Sequence, residues 1–172
     1  MASLIDVTRF DWAELSAVRY ARPDAVPEMI RRTLRVLEDL MEDADHACTF
    51  TLVDCPLIDD DLTMAVNTLL PNGCRVAGLE PVTSWAEQVR SALPAFFVPV
   101  NQARAWAERS IARELVEALA DWVVALMRRG WPDSAEAWAL TVYTTTWYEA
   151  DYVDLVVRAD DRIWLLHLGV SD

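Results

Sequence analysis

Apolar residues recur at helical spacing over the stretch from Asn101 to Arg129, the longest segment that reads as one element. From Ile111 onward, Ala112, Leu115, Val116, Ala118, Leu119, Trp122, Val123, Leu126 and Met127 share one broad side, and Arg113, Glu114, Glu117, Asp121 and Arg128 share the other. A helix of these 29 residues would span roughly 43 Å. That is about the diameter of a compact chain of this length, so the rest is expected to pack around it. Arg104 and Glu108 would interrupt the apolar stripe, which predicts a bend near Arg109 and Ser110 or a short lead-in helix. Arg128 and Arg129 suit the carbonyl end of the dipole, Gly130 is placed for a left-handed cap, and Pro132 blocks continuation.

Upstream the pattern is also mostly helical. Asp11 to Glu14 has the spacing of a capping box and opens a helix from Trp12 that Pro23 ends at Arg22. A second helix, from Asp24 or Pro27 to Asp43, carries Val26, Met29, Ile30, Thr33, Leu37, Leu40 and Met41 on one side. Cys48 to Cys55 (CTFTLVDC) is a strand ended by Pro56. Asp59, Asp60 and Asp61 precede a short helix through Leu62, Met64, Ala65, Leu69 and Leu70, bounded by Pro71, Asn72 and Gly73. Arg75 to Leu79 is a strand weakened by Gly78. Ser84 to Glu87 is a second capping box, opening a helix through Val89 and Leu93 that Pro94 is expected to close, and Phe96 to Val100 reads as an extended connector.

After the long helix the period falls to two. Trp138 to Trp147, Tyr152 to Arg158 and Arg162 to Leu168 are strand-like, and Ala159, Asp160 and Asp161 join the last two as a tight antiparallel turn. In the last strand Trp164, Leu166 and Leu168 face one way and Ile163 and Leu165 the other, which suits the centre of a sheet. Residues 1–172 therefore read as a single α+β domain: a helical N-terminal half and a long helix packed on a C-terminal antiparallel β-meander.

Composition narrows the function classes. With 53% hydrophobic residues and eight tryptophans the chain can bury a substantial core. A formal charge of -13, from 28 acidic and 15 basic residues, disfavours nucleic acid and anionic membrane and favours a basic protein partner. All 15 basic residues are arginine, so Schiff-base chemistry and a lysine-dependent phosphate loop are excluded. Cys48, Cys55 and Cys74 are too few and odd in number for a disulfide framework, and reduced thiols are expected. Met1 to Phe10 lacks the layout of a secretory signal, and no uncharged apolar run reaches membrane-spanning length. These features predict a soluble, cytoplasmic protein.

No catalytic motif stands out, with no G-x-S-x-G, P-loop, G-x-G-x-x-G or H-E-x-x-H present. His46, Cys48 and Cys55, even with Cys74, are irregularly spaced for zinc, so no metal or cofactor is expected. His46 beside Cys48 lacks the electropositive setting that activates a thiolate. Asp59, Asp60 and Asp61 are either paired carboxylates for cation or acid-base work or, as their position favours, caps of the helix that follows. Glu38, Asp39, Glu42, Asp43 and Asp45 form either a solvated helix face or part of a surface for a basic partner. Tyr143, Thr145 and Trp147 are expected on one strand face, followed by Tyr148 and Tyr152; such aromatics pack a core or rim, or anchor an interface when exposed.

The segment DWAELSAVRYARPDAVPEMIRRTLRVL, Asp11 to Leu37, resembles the openings of small actinobacterial proteins encoded near toxins. The tail DRIWLLHLGVSD, Asp161 to Asp172, resembles the strand endings of bacterial immunity proteins of polymorphic toxin systems. Together they cover about a fifth of the chain. The resemblance implies a small, acidic, cytoplasmic α+β protein that binds and blocks a cognate toxin domain, and it supplies no catalytic residue to carry over. The leading expectation is a non-enzymatic inhibitor of a basic protein partner, with Glu38 to Asp45, Asp59 to Asp61, Trp147, Tyr148 and Tyr152 as contact candidates. Two alternatives stand beside it. One is an enzyme using carboxylates or His167 as acid and base in a cleft between the long helix and the sheet, and the other is an acidic secretion chaperone or adaptor.

Overall fold

A computed structural model describes residues 23–42, 47–57, 59–96, 110–131 and 135–171. The expected helix from Trp12 to Arg22, Asp43 to His46, residues 97–100 of the expected connector, and residues 101–109 at the head of the long segment lie outside the described residues.

A tighter helical turn, Pro23–Ala25, leads into α1, Val26–Glu42, with Pro27 in its first turn where a missing N–H costs nothing. Val26, Ile30, Leu34 and Leu37 form its buried stripe. Strand β1, Cys48–Pro56, follows and alternates as a half-buried strand should, sending Phe50 and Leu52 under α1. Arg31 locks that contact: its Nε donates to the Leu52 carbonyl at 2.9 Å and its guanidinium grips Asp54 Oδ1 at 2.9 Å. Arg162 holds the other oxygen of the same carboxylate.

The remaining elements are α2, Leu62–Leu69; β2, Cys74–Pro81; α3, Trp85–Phe96; α4, Ser110–Gly130; β3, Glu136–Thr144; β4, Asp151–Ala159; and β5, Arg162–Val170. The strands form one sheet in the order β1-β5-β4-β3-β2, every neighbour antiparallel. The expected meander is present as β3, β4 and β5. The two strands expected in the N-terminal half are present too and supply both edges of the same sheet. Strand β5 is internal, as its two apolar faces require, although β4 holds the centre.

Each face of the sheet has its own cover. On one, α1, α3 and α4 enclose a core with Phe50, Leu155, Val157, Leu166 and Leu168. On the other, the short α2 crosses from β1 to β2 and packs Ala65, Val66 and Leu70 on Leu140, Val156, Ile163 and Leu165. A bulge between Val76 and Gly78 lets β2 keep its register with β3.

Three expectations change. The long helix lies between α1 and α3, so its buried stripe widens to include Ala120 and Val124 while Ala118 is exposed. Pro94 does not end α3 but sits inside its last turn, where burial of Leu93 and the contact of Phe96 with Phe50, ring centroids 6.2 Å apart, offset the lost N–H. Gly130 is not a left-handed cap, since it remains helical and the Trp131 N–H bonds to the Met127 carbonyl at 2.9 Å.

Gly130 is instead a close-approach site. A Cβ there would fall 2.8 Å from Val26 Cγ1 and 3.3 Å from Val26 Cβ, atoms of a stiff β-branched side chain at the buried start of α1. In an open helix Gly→Ala gains up to about 1 kcal/mol. Here overpacking is expected to win, so Gly130→Ala should lose about 1–3 kcal/mol in chemical denaturation, and adding Val26→Ala should recover part of the loss. A net gain in the single variant would show that the two helices do not meet this closely.

Candidate functional site

Strand β5 puts Ile163, Leu165 and His167 on the α2 face by simple alternation. His167 is therefore buried on the side of the sheet opposite the long helix, not in the cleft between helix and sheet that acid-base use had suggested. The β4–β5 hairpin turns through Asp160, whose φ of 55° an aspartate tolerates, and its register sets Asp154 directly across from His167. Thr51 of β1 pairs with His167 from the other side.

Around the imidazole the polar groups close in. Nδ1 lies 2.6 Å from Asp154 Oδ1. The Tyr148 hydroxyl donates to Asp154 Oδ2 at 2.8 Å and stands 3.2 Å from the same ring nitrogen. Nε2 faces Glu149 Oε1 at 3.6 Å, and the Ser171 hydroxyl donates to the second oxygen of Glu149. Tyr152 packs edge-on against Tyr148, with ring centroids 5.0 Å apart. Asp154 is 3% exposed and His167 7%, so solvent does little to screen them. Gly169 makes the arrangement possible: a Cβ there would meet Glu149 Cγ at 2.5 Å and His167 Nε2 at 2.8 Å.

Burial works against charge on His167, but the hydrogen bond and charge of Asp154, and then Glu149, outweigh it and raise the imidazole pKa above its ordinary value. Burial and the neighbouring Asp154 carboxylate push the Tyr148 phenol far up. The cluster thus favours a charged imidazole between the Asp154 and Glu149 carboxylates, with the Tyr148 phenol held neutral beside it. A protonated ring has no lone pair with which to accept a further proton.

Comparisons of the chain with family models, with curated proteins and with solved structures find no match.

The contact candidates are scattered rather than gathered. Asp61 caps α2, accepting the Met64 N–H at 2.8 Å, as its position suggested. Asp60 pairs with Arg158 at 2.7 Å, and Asp59 is exposed with a φ of 55°. Glu38 reaches over from α1 and accepts the Phe50 N–H at 2.7 Å, which makes it part of the joint between helix and strand. Asp39 is exposed, while Asp43, Asp45 and the side chain of Glu42 lie outside the described residues. Glu38 and Asp39 sit on α1 and Asp61 caps α2, elements that cover opposite faces of the sheet. Cys55 donates to the Ala65 carbonyl and Cys74 to Thr144 Oγ1, both at 3.5 Å, in ordinary structural roles.

The aromatic run divides. Trp147 is not on the strand face, because β3 ends at Thr144. It lies in the loop leading to β4 and is 71% exposed, and Tyr143 near the end of β3 is 60% exposed. Tyr148 and Tyr152 turn inward to the histidine cluster. That cluster was missed as a unit, although a histidine and an aspartate each placed in phase with buried apolar neighbours were its signal.

Removing one member of a buried ion pair leaves the other uncompensated, so Asp154→Ala is expected to cost about 3–5 kcal/mol by chemical denaturation. The pH dependence has a definite sign. Because the folded-state pKa of His167 is raised, its stabilisation is complete below about pH 6.5, the unfolded value, and is lost as pH rises through the folded-state value. Thermal midpoints of the native protein should therefore fall over that interval relative to those of His167→Gln. Parallel curves would remove His167 from the charge balance.

Proposed function

We propose that this protein is a non-enzymatic binding protein that inhibits a basic protein partner in the cytoplasm, in the manner of an immunity protein neutralising a cognate toxin domain. The observation that carries the reading is the exposure of Trp147 on a loop anchored on both sides of it. Thr145 N–H is held by the Gly73 carbonyl at 3.2 Å, and the Thr144 hydroxyl donates to the Thr146 carbonyl at 2.7 Å. On the far side, Tyr148 and Glu149 are tied into the histidine cluster and Ala150 N–H bonds to the Val170 carbonyl at 2.8 Å. Between these anchors the indole stands in water.

A large aromatic on a loop whose backbone is anchored before contact is the kind of group that dominates an interface, since little loop entropy remains to be lost on binding. The charge excess supports the class of partner. A chain carrying 28 acidic against 15 basic residues steers basic surfaces toward itself and repels polyanions.

The test uses capture from lysate of the source organism with native and Trp147→Ala baits, at low and high salt. A basic partner should bind the native bait, release with salt, and bind the variant at least about 2 kcal/mol, or roughly thirtyfold, more weakly. Equal retention by both baits would take Trp147 out of the interface, and insensitivity to salt would reject the electrostatic part.

A further inference from the structure

The loop between β3 and β4 is fastened in two different ways. Its ends are pinned by main-chain bonds, Thr145 to Gly73 and Ala150 to Val170. Its middle is held by side chains: Tyr148 on Asp154, and Glu149 on His167. Main-chain bonds are indifferent to protons over the ordinary pH range, whereas the Glu149 contact depends on a positive imidazole.

We propose that Asp154, His167 and Glu149 form a proton-operated clasp, which holds Trp147 in its presented position while the imidazole is charged and releases it when the proton leaves. The role of Trp147 as a contact residue rests on the function proposed above; the clasp itself does not.

The geometry gives the two ends of the clasp unequal strength. Asp154 lies 2.6 Å from Nδ1, sits within the central strand and also accepts from Tyr148, so it keeps its hold on a neutral ring that retains the Nδ1 proton. Nε2 then turns a lone pair toward Glu149, and the 3.6 Å contact changes from attraction to repulsion. Glu149 has somewhere to go, since its other oxygen is bonded to the exposed Ser171 at the end of β5. It lies over Gly169 only because no Cβ is there to exclude it.

The other groups around the ring do not substitute for the lost charge. Tyr148 and Tyr152 from the loop and β4 bring phenols, which cannot become cations, Thr51 across β1 carries no charge, and Cys74 of β2 lies near Tyr148. No other cation is recorded against the cluster among the described residues: the ion pairs of Arg158 and Arg162 are with Asp60 and Asp54. The burial that holds the carboxylates close therefore turns against them once the ring is neutral, and Glu149 is the one that can leave.

The test needs no partner. Protein labelled with 5-fluorotryptophan and carbon-13 histidine is titrated by NMR from about pH 6 to about pH 10, spanning the ordinary and raised imidazole range. Trp147 is assigned with Trp147→Phe, and His46 is told apart with His46→Gln. The Trp147 fluorine resonance should shift with the same midpoint as the His167 ring. In Glu149→Gln, which keeps shape but not charge, the His167 midpoint should fall and the Trp147 shift should be lost. A Trp147 resonance that stays flat while His167 titrates overturns the clasp, as does an unchanged Trp147 titration in Glu149→Gln. Either failure leaves the capture test of Trp147 standing, and a failed capture leaves this titration standing.

Discussion

Strand β5 is apolar on both sides and therefore needs cover on both, and most of the architecture is a response to that need. Leu166 and Leu168 are 1% exposed or less on the helix face, and Ile163 and Leu165 are 2% or less on the other. Three helices serve the first face. Among the described residues the second has the eight-residue α2, which crosses near the end of β5 that carries Ile163 and Leu165. The far end of that face is closed by the β3–β4 loop, with Tyr148 laid inward as a lid. An aromatic lid brings a hydroxyl into the interior, and the hydroxyl needs a partner. Asp154 is that partner, and His167 then offsets the charge of Asp154.

A buried ion pair is a weak source of stability and a good source of specificity, because its geometry must be right for the burial to be tolerated. Here the pair is cross-strand, directly opposite in the β4–β5 hairpin. A slip of register by one residue would move His167 to the helix face among leucines and leave Asp154 without a cation. The cluster thus pins the hairpin, the loop and the end of β5 at once. Arg31, Asp54 and Arg162 do similar work at the opposite end, joining α1, β1 and the start of β5.

Those parts of the fold that depend on local pattern were legible in the residues. The alternation of β4 and β5, the tight turn at Asp160, the cap at Asp61 and the strand ending at Pro56 follow from short-range chemistry. What escaped depended on contacts between distant segments. Gly130 has the position of a C-cap, and only the approach of Val26 gives it another purpose. Pro94 reads as a stop unless Phe50 is known to wait for Phe96. The described contact candidates are spread over both faces of the sheet for the same reason: their spacing says nothing of which face each reaches. The histidine cluster was closer to hand. A two-residue turn after Ala159 already pairs Asp154 with His167, while Tyr148 and Glu149 arrive through a loop whose path no periodicity describes.

The overall charge bears on the cluster as well as on the surface. A chain at -13 lives in its own negative potential, which favours any bound proton and opposes compaction. Holding a proton on His167 relieves a little of that repulsion at the place where it is most acute, between buried carboxylates. A basic partner would act in the opposite direction, because its positive potential makes the same proton easier to lose. Binding and protonation are then coupled through one field, and the coupling must be reciprocal: if the partner loosens the proton, the proton weakens the partner by the same factor. Against that electrostatic opposition stands the mechanical advantage of a fixed Trp147, which the charged clasp supplies. The balance between the two decides whether binding strengthens or weakens as His167 gains its proton.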